Sequence, residues 1–256
     1  MASLKSFNFH LVFLTLFLLA FVQANYAEEE ESFTQEFIRE NKELITKFTL
    51  ENSYLNEISN GTIQDSAFKH DLIGYLRWFT LWAKSFGYVL AKVPVPPPED
   101  WNFGDVPPEF LLNILVGAMN DVQGYISVFK GIAANHGIDI YSEPTSELIK
   151  ADTDELTRVG KSLPIETWIA RNWVGVRFTY EGFLIVQENI KKGKYNYAFQ
   201  DYIDVFTSPR FNATVTEIEF LTNTIYKSKK SNRNLATTVL RKRLESLYEI
   251  MAENVK

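Results

Sequence analysis

The chain has no cysteine among its 256 residues. That excludes a disulfide scaffold, a thiolate metal site, a thiol redox centre and a cysteine nucleophile. Histidine is nearly as scarce, at three, and His10 falls in the first segment. Neither His70 nor His136 has a carboxylate three residues upstream, so the Glu-x-x-His pairs of di-iron bundles are excluded and a His-rich zinc site has no support. There is no Gly-rich phosphate loop and no Gly-x-Ser-x-Gly elbow. A net charge of −6 and a pI near 5.3 argue against a dedicated nucleic-acid surface. No pattern for a cofactor appears, and none is expected. What the chain does have is apolar material, 46% hydrophobic, enough for one large domain with a real core. It carries 20 Phe, 12 Tyr and 5 Trp. In a helical domain these mostly fill core, but the excess also suits a pocket that stacks a flat heteroaromatic ligand.

Residues 1–24 read as a signal peptide. Lys5 is followed by an apolar run from Leu11 to Val22, and Val22-Gln23-Ala24 places small residues where a signal peptidase reads. The run is too short for a membrane span, which needs about 20 apolar residues, and Glu28 to Glu31 follow at once. A secreted protein, or one in an endomembrane lumen, is therefore expected, with no membrane attachment after cleavage. Residues 25–31 form an acidic N-terminal segment, and 32–255 the domain. Export gives meaning to two glycosylation triplets, at Asn60 and Asn212, both in predicted turns.

Apolar residues recur at helical spacing almost throughout, and alternating runs are scarce. The pattern predicts a helix over 32–48, a short segment ending at Asn60-Gly61, and a long helix over 66–93 capped by Asp65. The proline-rich stretch 93–108 is an extended connection. A central buried helix is predicted over 109–135, where Asp121 is the one formal charge between Glu109 and Lys130, with His136-Gly137 as a left-handed stop. Further helices are predicted over 145–160, 164–191, 197–207, 212–227 and 233–254. The fold class is all-α, in a single domain.

Few residues stand out as chemistry. A lone carboxylate in a nearly apolar helix, Asp121, must be paired, hydrogen-bonded or protonated. A structural hydrogen bond explains it, and so does a substrate-binding role. Arg241-Lys242-Arg243 reads as the outer face of the last helix, and 227–233 as a solvated basic loop.

Four segments, in order along the chain, resemble the TenA / thiaminase-II family. They are Tyr54-Leu-Asn-Glu-Ile-Ser-Asn-Gly-Thr-Ile-Gln-Asp-Ser-Ala-Phe68, Gly137-Ile-Asp139 with Pro144-Thr145, Tyr202-Ile-Asp-Val-Phe206 with Arg210-Phe211, and Glu245-Ser-Leu-Tyr248-Glu-Ile-Met-Ala252. The resemblance covers about residues 32–253. It implies a haem-oxygenase-like multi-helical bundle, a homo-oligomer, and activity on thiamin or its aminopyrimidine breakdown products. In the cysteine-using members a Cys attacks the ring, a Glu on the last helix moves protons, and an Asp and several Tyr hold the ring. Here the Cys position falls near Val174. The Asp position falls on Tyr75 or Ile73, depending on the register, with Asp71 one turn before Tyr75. Tyr125 and Phe129 stand where many members have Glu and His, and Phe206 replaces a pocket Tyr. Glu245 keeps its match, although Arg241 four residues earlier also suits a surface ion pair.

Three readings follow. One is a cysteine-free hydrolase with Glu245 as acid/base and Asp71 assisting, the ring held by Tyr75, Trp78, Asp121, Tyr180 and Phe206. The second is an inactive binder of a flat heteroaromatic ligand. The third is an interaction module with a filled pocket. An open pocket with two inward acids would mark the enzyme, an open apolar pocket the binder, and one too small for a six-membered ring the module.

Overall fold

The computed structural model describes residues 31–94, 103, 106–142, 144–193, 199–228 and 232–253. The predicted signal peptide, the acidic segment up to residue 30 and most of the proline-rich connection lie outside them. Among the described residues the chain forms ten helices: α1 (Phe33–Glu40), α2 (Lys42–Thr49), α3 (Ser53–Asn60), α4 (Asp65–Leu90), α5 (Pro108–Asn135), α6 (Glu147–Ser162), α7 (Ile165–Gly193), α8 (Gln200–Phe206), α9 (Pro209–Ser228) and α10 (Arg233–Glu253). The all-α expectation holds.

The central helix is α7. Every residue from 165 to 176 is buried, because α2, α3, α6, α8, α9 and α10 all pack against it. A helix buried all round must satisfy its polar groups internally. Asn172 accordingly donates to the Trp168 carbonyl at 2.7 Å, and Glu166 accepts from Asn232 at 3.0 Å.

The sequence pattern assigned the central place to α5 instead, and the structure corrects this. α5 lies mainly on α4, burying Leu111, Leu115, Val122, Tyr125, Phe129 and Ile132 while leaving Phe110, Val116 and Val128 exposed. Its outer face carries Asn113, Gly117, Asn120, Gln123 and Ser127, uncharged but solvated. Low formal charge was not burial.

The single helix expected over 32–48 is two. Asn41 breaks it with φ −111°, and its side-chain amide donates to the Phe37 carbonyl at 2.9 Å. An Asn in mid-helix competes for backbone groups in this way. Ser32 caps α1 in a reciprocal box with Gln35. Asp65 is not the cap of α4: Gln64 occupies that position without a side-chain bond, and Asp65 sits in the first turn, where its charge suits the helix N-terminus. Gly61 and Gly137 have φ of 68° and 64°, so the turns expected after Asn60 and His136 are present and need glycine. Asn212, expected in a turn, lies in the first turn of α9.

Candidate functional site

The helices α4, α7, α8, α9 and α10 converge on one small chamber. Its wall is Tyr75, Trp78 and Phe79 from α4, Gly175, Val176 and Thr179 from α7, Phe206, Phe211 and Arg243. The side chains pack on one another, with ring centroids of Tyr75 and Phe206 4.9 Å apart and of Phe206 and Phe183 4.5 Å apart. What remains is about 10 Å³, room for about one water. A six-membered ring does not fit unless the wall moves.

Arg243, read from sequence as surface, is 4% exposed. It belongs to a buried ion cluster centred on Asp152. The Asp152 carboxylate meets Arg243 Nη1 at 2.6 Å, accepts from Arg171 Nη2 at 2.6 Å, from the Trp78 indole at 2.9 Å and from Ser246 at 3.3 Å. Burial alone would push the Asp152 carboxyl up. The Arg171 and Arg243 guanidinium groups and the Trp78 indole outweigh it and hold the group below the usual carboxylate range. Burial pushes Arg171 down to about 10, against the pull of Asp152. The Arg243 guanidinium also lies 5.0 Å above the Trp78 ring.

Asp71 forms a second buried centre. Its Oδ2 accepts from the Tyr54 hydroxyl at 2.5 Å and from the Tyr202 hydroxyl. The Tyr75 hydroxyl is pushed well up by burial and then by the Asp71 charge, and so is that of Tyr202. Tyr75 and Tyr202 therefore keep their hydroxyl protons at physiological pH and are not bases.

Of the residues singled out in the sequence, Tyr75, Trp78 and Phe206 line the chamber. Asp71 is buried beneath it, held by two phenols, and is not in its wall. Tyr180 is half-buried, with its ring 6.4 Å from that of Phe211. Asp121 pairs with Arg210 at 2.5 Å, both partly exposed; its lone charge is explained by that pair across to α9, and it is not among the wall residues. Glu245 lies on the outer side of α10, 49% exposed and 3.2 Å from Arg241. The ion pair is the arrangement found, and the pocket placement suggested by the motif is not. An exposed i, i+4 pair contributes little, so Glu245→Gln is expected to change unfolding stability by less than about 0.5 kcal/mol in a urea titration.

Sequence reasoning missed Asp152, Arg171 and Arg243. The signal was present in spacing: Asp152 falls on one stripe with Ile149, Leu156 and Val159, and Arg243 with Leu240, Leu244 and Leu247. Val174, at the expected Cys position, is buried beside the wall residue Gly175.

No protein-family model and no curated protein matches the sequence. Solved structures do match. A TenA homologue from Pyrococcus furiosus superposes with a TM-score of 0.75 at 19% identity, covering 87% of this chain and 99% of the other. A TenA family transcription regulator from a Silicibacter species gives 0.72 at 13%, over 88% and 96%. A TenA-like candidate thiaminase from Sulfolobus solfataricus gives 0.67 at 10%, over 87% and 95%. The fold is that of the TenA proteins.

Proposed function

We propose that this chain is an exported protein on the TenA fold that acts by binding, not by hydrolysis, in a chamber that opens to admit its ligand. Closed, at about 10 Å³, the chamber has the size expected of a filled interaction module, and the buried guanidinium in its wall is what favours binding over that reading. One observation carries the reading: among the described residues the chamber wall holds no carboxylate, imidazole or thiol. Its single ionisable charge is a guanidinium, and Tyr75 and Thr179 supply the only hydroxyls. Displacing an aromatic amine needs a nucleophile or an activated water, together with a proton donor for the leaving group. A guanidinium is a hydrogen-bond donor and supplies neither nucleophile nor general acid. Glu245, the candidate acid, faces solvent against Arg241. Asp71 is held by two tyrosine hydroxyls.

Export rests on residues 1–24. In a secreting host the protein in the medium is expected to begin at Asn25, with a glycan on Asn60, which lies exposed at the end of α3. The Asn212 triplet is helical and its Thr214 is buried, which disfavours modification there. The catalytic half is tested by incubating the secreted protein with thiamin and its aminopyrimidine breakdown products, followed by LC–MS. No product is expected. Product formed by the wild type and lost in Glu245→Gln would overturn the reading.

A further inference from the structure

The ion cluster behind the chamber is one anion short. Arg171 and Arg243 are 1% and 4% exposed, yet they share one buried carboxylate, Asp152. That carboxylate already takes two guanidinium groups, an indole N–H and a hydroxyl. Among the described residues Arg243 Nε and Arg171 Nη1 have no hydrogen-bond partner, and Arg243 Nη1 meets Asp152 only as an ion pair. Glu155 is the next acid whose charge reaches Arg171, but it is engaged by Arg158 at 2.7 Å and by Lys242 at 3.7 Å. A buried charged donor with no acceptor is costly, and such groups persist where something else supplies the acceptor.

Of the two guanidinium groups, Arg243 is the one in the chamber wall. Its neighbour there is Gly175. A Cβ at that position would come within 3.3 Å of Nη2 and 3.4 Å of Nε, so the missing side chain keeps that edge of the guanidinium uncovered. The other walls are aromatic: Tyr75, Trp78, Phe79, Phe206 and Phe211.

We propose that the chamber takes a small single-ring aromatic anion, its carboxylate received by the Nε edge of Arg243 and its ring held among Tyr75, Trp78 and Phe206. This rests on the binding reading above and names its ligand class. A planar guanidinium edge matches a carboxylate in charge and geometry. An aminopyrimidine offers the guanidinium only neutral ring nitrogens as acceptors and brings no charge to balance the cluster. Binding brings the cluster of two guanidinium groups and one carboxylate to neutrality. Because the closed chamber holds about one water, the ring enters by displacing wall side chains, and Tyr75, half-buried, is the one nearest solvent.

The test is a titration of the full secreted protein with benzoate, benzamide and benzamidine, three near-isosteres that are anionic, neutral and cationic. Trp78 in the wall provides a fluorescence signal, and calorimetry checks it. Benzoate is expected to bind saturably, at least about tenfold more tightly than benzamide, with benzamidine weaker still. Arg243→Lys is expected to remove most of that preference. Because this change also disturbs Asp152, Gly175→Ala serves as the second variant: it keeps both charges but sets a methyl against the Nε edge, and is expected to weaken benzoate about tenfold or more in a protein with unchanged circular dichroism. Benzamide or benzamidine binding as well as benzoate would overturn the anion assignment and leave the binding reading standing. Failure of all three to bind would overturn both.

Discussion

Asp152→Ala is expected to destabilise the protein by about 3–5 kcal/mol, the usual cost of breaking a buried ion pair from one side. The loss is large because two guanidinium groups, the Trp78 indole and the Ser246 hydroxyl all lose their common acceptor. Urea titration at pH 7 measures it, and a loss below about 1 kcal/mol would place the cluster in a far wetter environment than its burial indicates. The same cluster sets an acid limit. The Asp152 carboxyl has its folded pKa depressed below the ordinary value near 3.8, so its contribution is fully present above that value and is lost as pH falls through the folded pKa. The gap between wild type and Asp152→Ala should therefore hold from neutral pH down to about 4 and close only in stronger acid.

Phe206→Ala is the second large effect. Phe206 is fully buried, stacks on Phe183 at 4.5 Å and meets Tyr75, Phe129 and Phe211 edge-on or tilted. Removing such a ring costs about 3–5 kcal/mol, part in lost transfer energy and part in the cavity left behind. The cavity here merges with the chamber, which then has room for a six-membered ring. Thermal melts are expected to show a large drop in Tm that benzene partly restores, because an apolar cavity of that size binds such ligands. A collapse of the wall that left no benzene effect would mean that the chamber closes on itself too readily to hold any ring.

These residues also show where sequence alone is sufficient. The helical periodicity defines every long helix to within a few residues, because apolar spacing is what buries a helix face. It does not say which helix is central: α5 carries fewer formal charges than α7, yet Asn and Gly on α5 face water, whereas Arg171 and Asn172 on α7 face protein. Asp121 and Asp152 were the instructive pair. The first stood out by its isolation and turned out to be half of an exposed ion pair. The second was hidden in the charged run Lys150-Ala-Asp-Thr-Asp-Glu155 and lies in the core. Arg243 was hidden in the same way within Arg241-Lys242-Arg243. Charge runs read as surface because most of their members are, and a single inward member shows only in its register with the apolar stripe. Glu245 is the opposite case: its motif match points to the pocket, while Arg241 one turn earlier suits the surface ion pair that the structure has.

The central claim is that, among the described residues, the chamber wall carries a guanidinium and no proton-transferring acid. Crystals of the protein soaked separately with benzoate and with a thiamin-derived aminopyrimidine measure this most directly. The account predicts the benzoate carboxylate on Arg243, the aminopyrimidine absent from the chamber, and Glu245 still paired with Arg241. An aminopyrimidine ring seated among Tyr75, Trp78 and Phe206, with the Glu245 carboxylate turned onto it, would contradict the account.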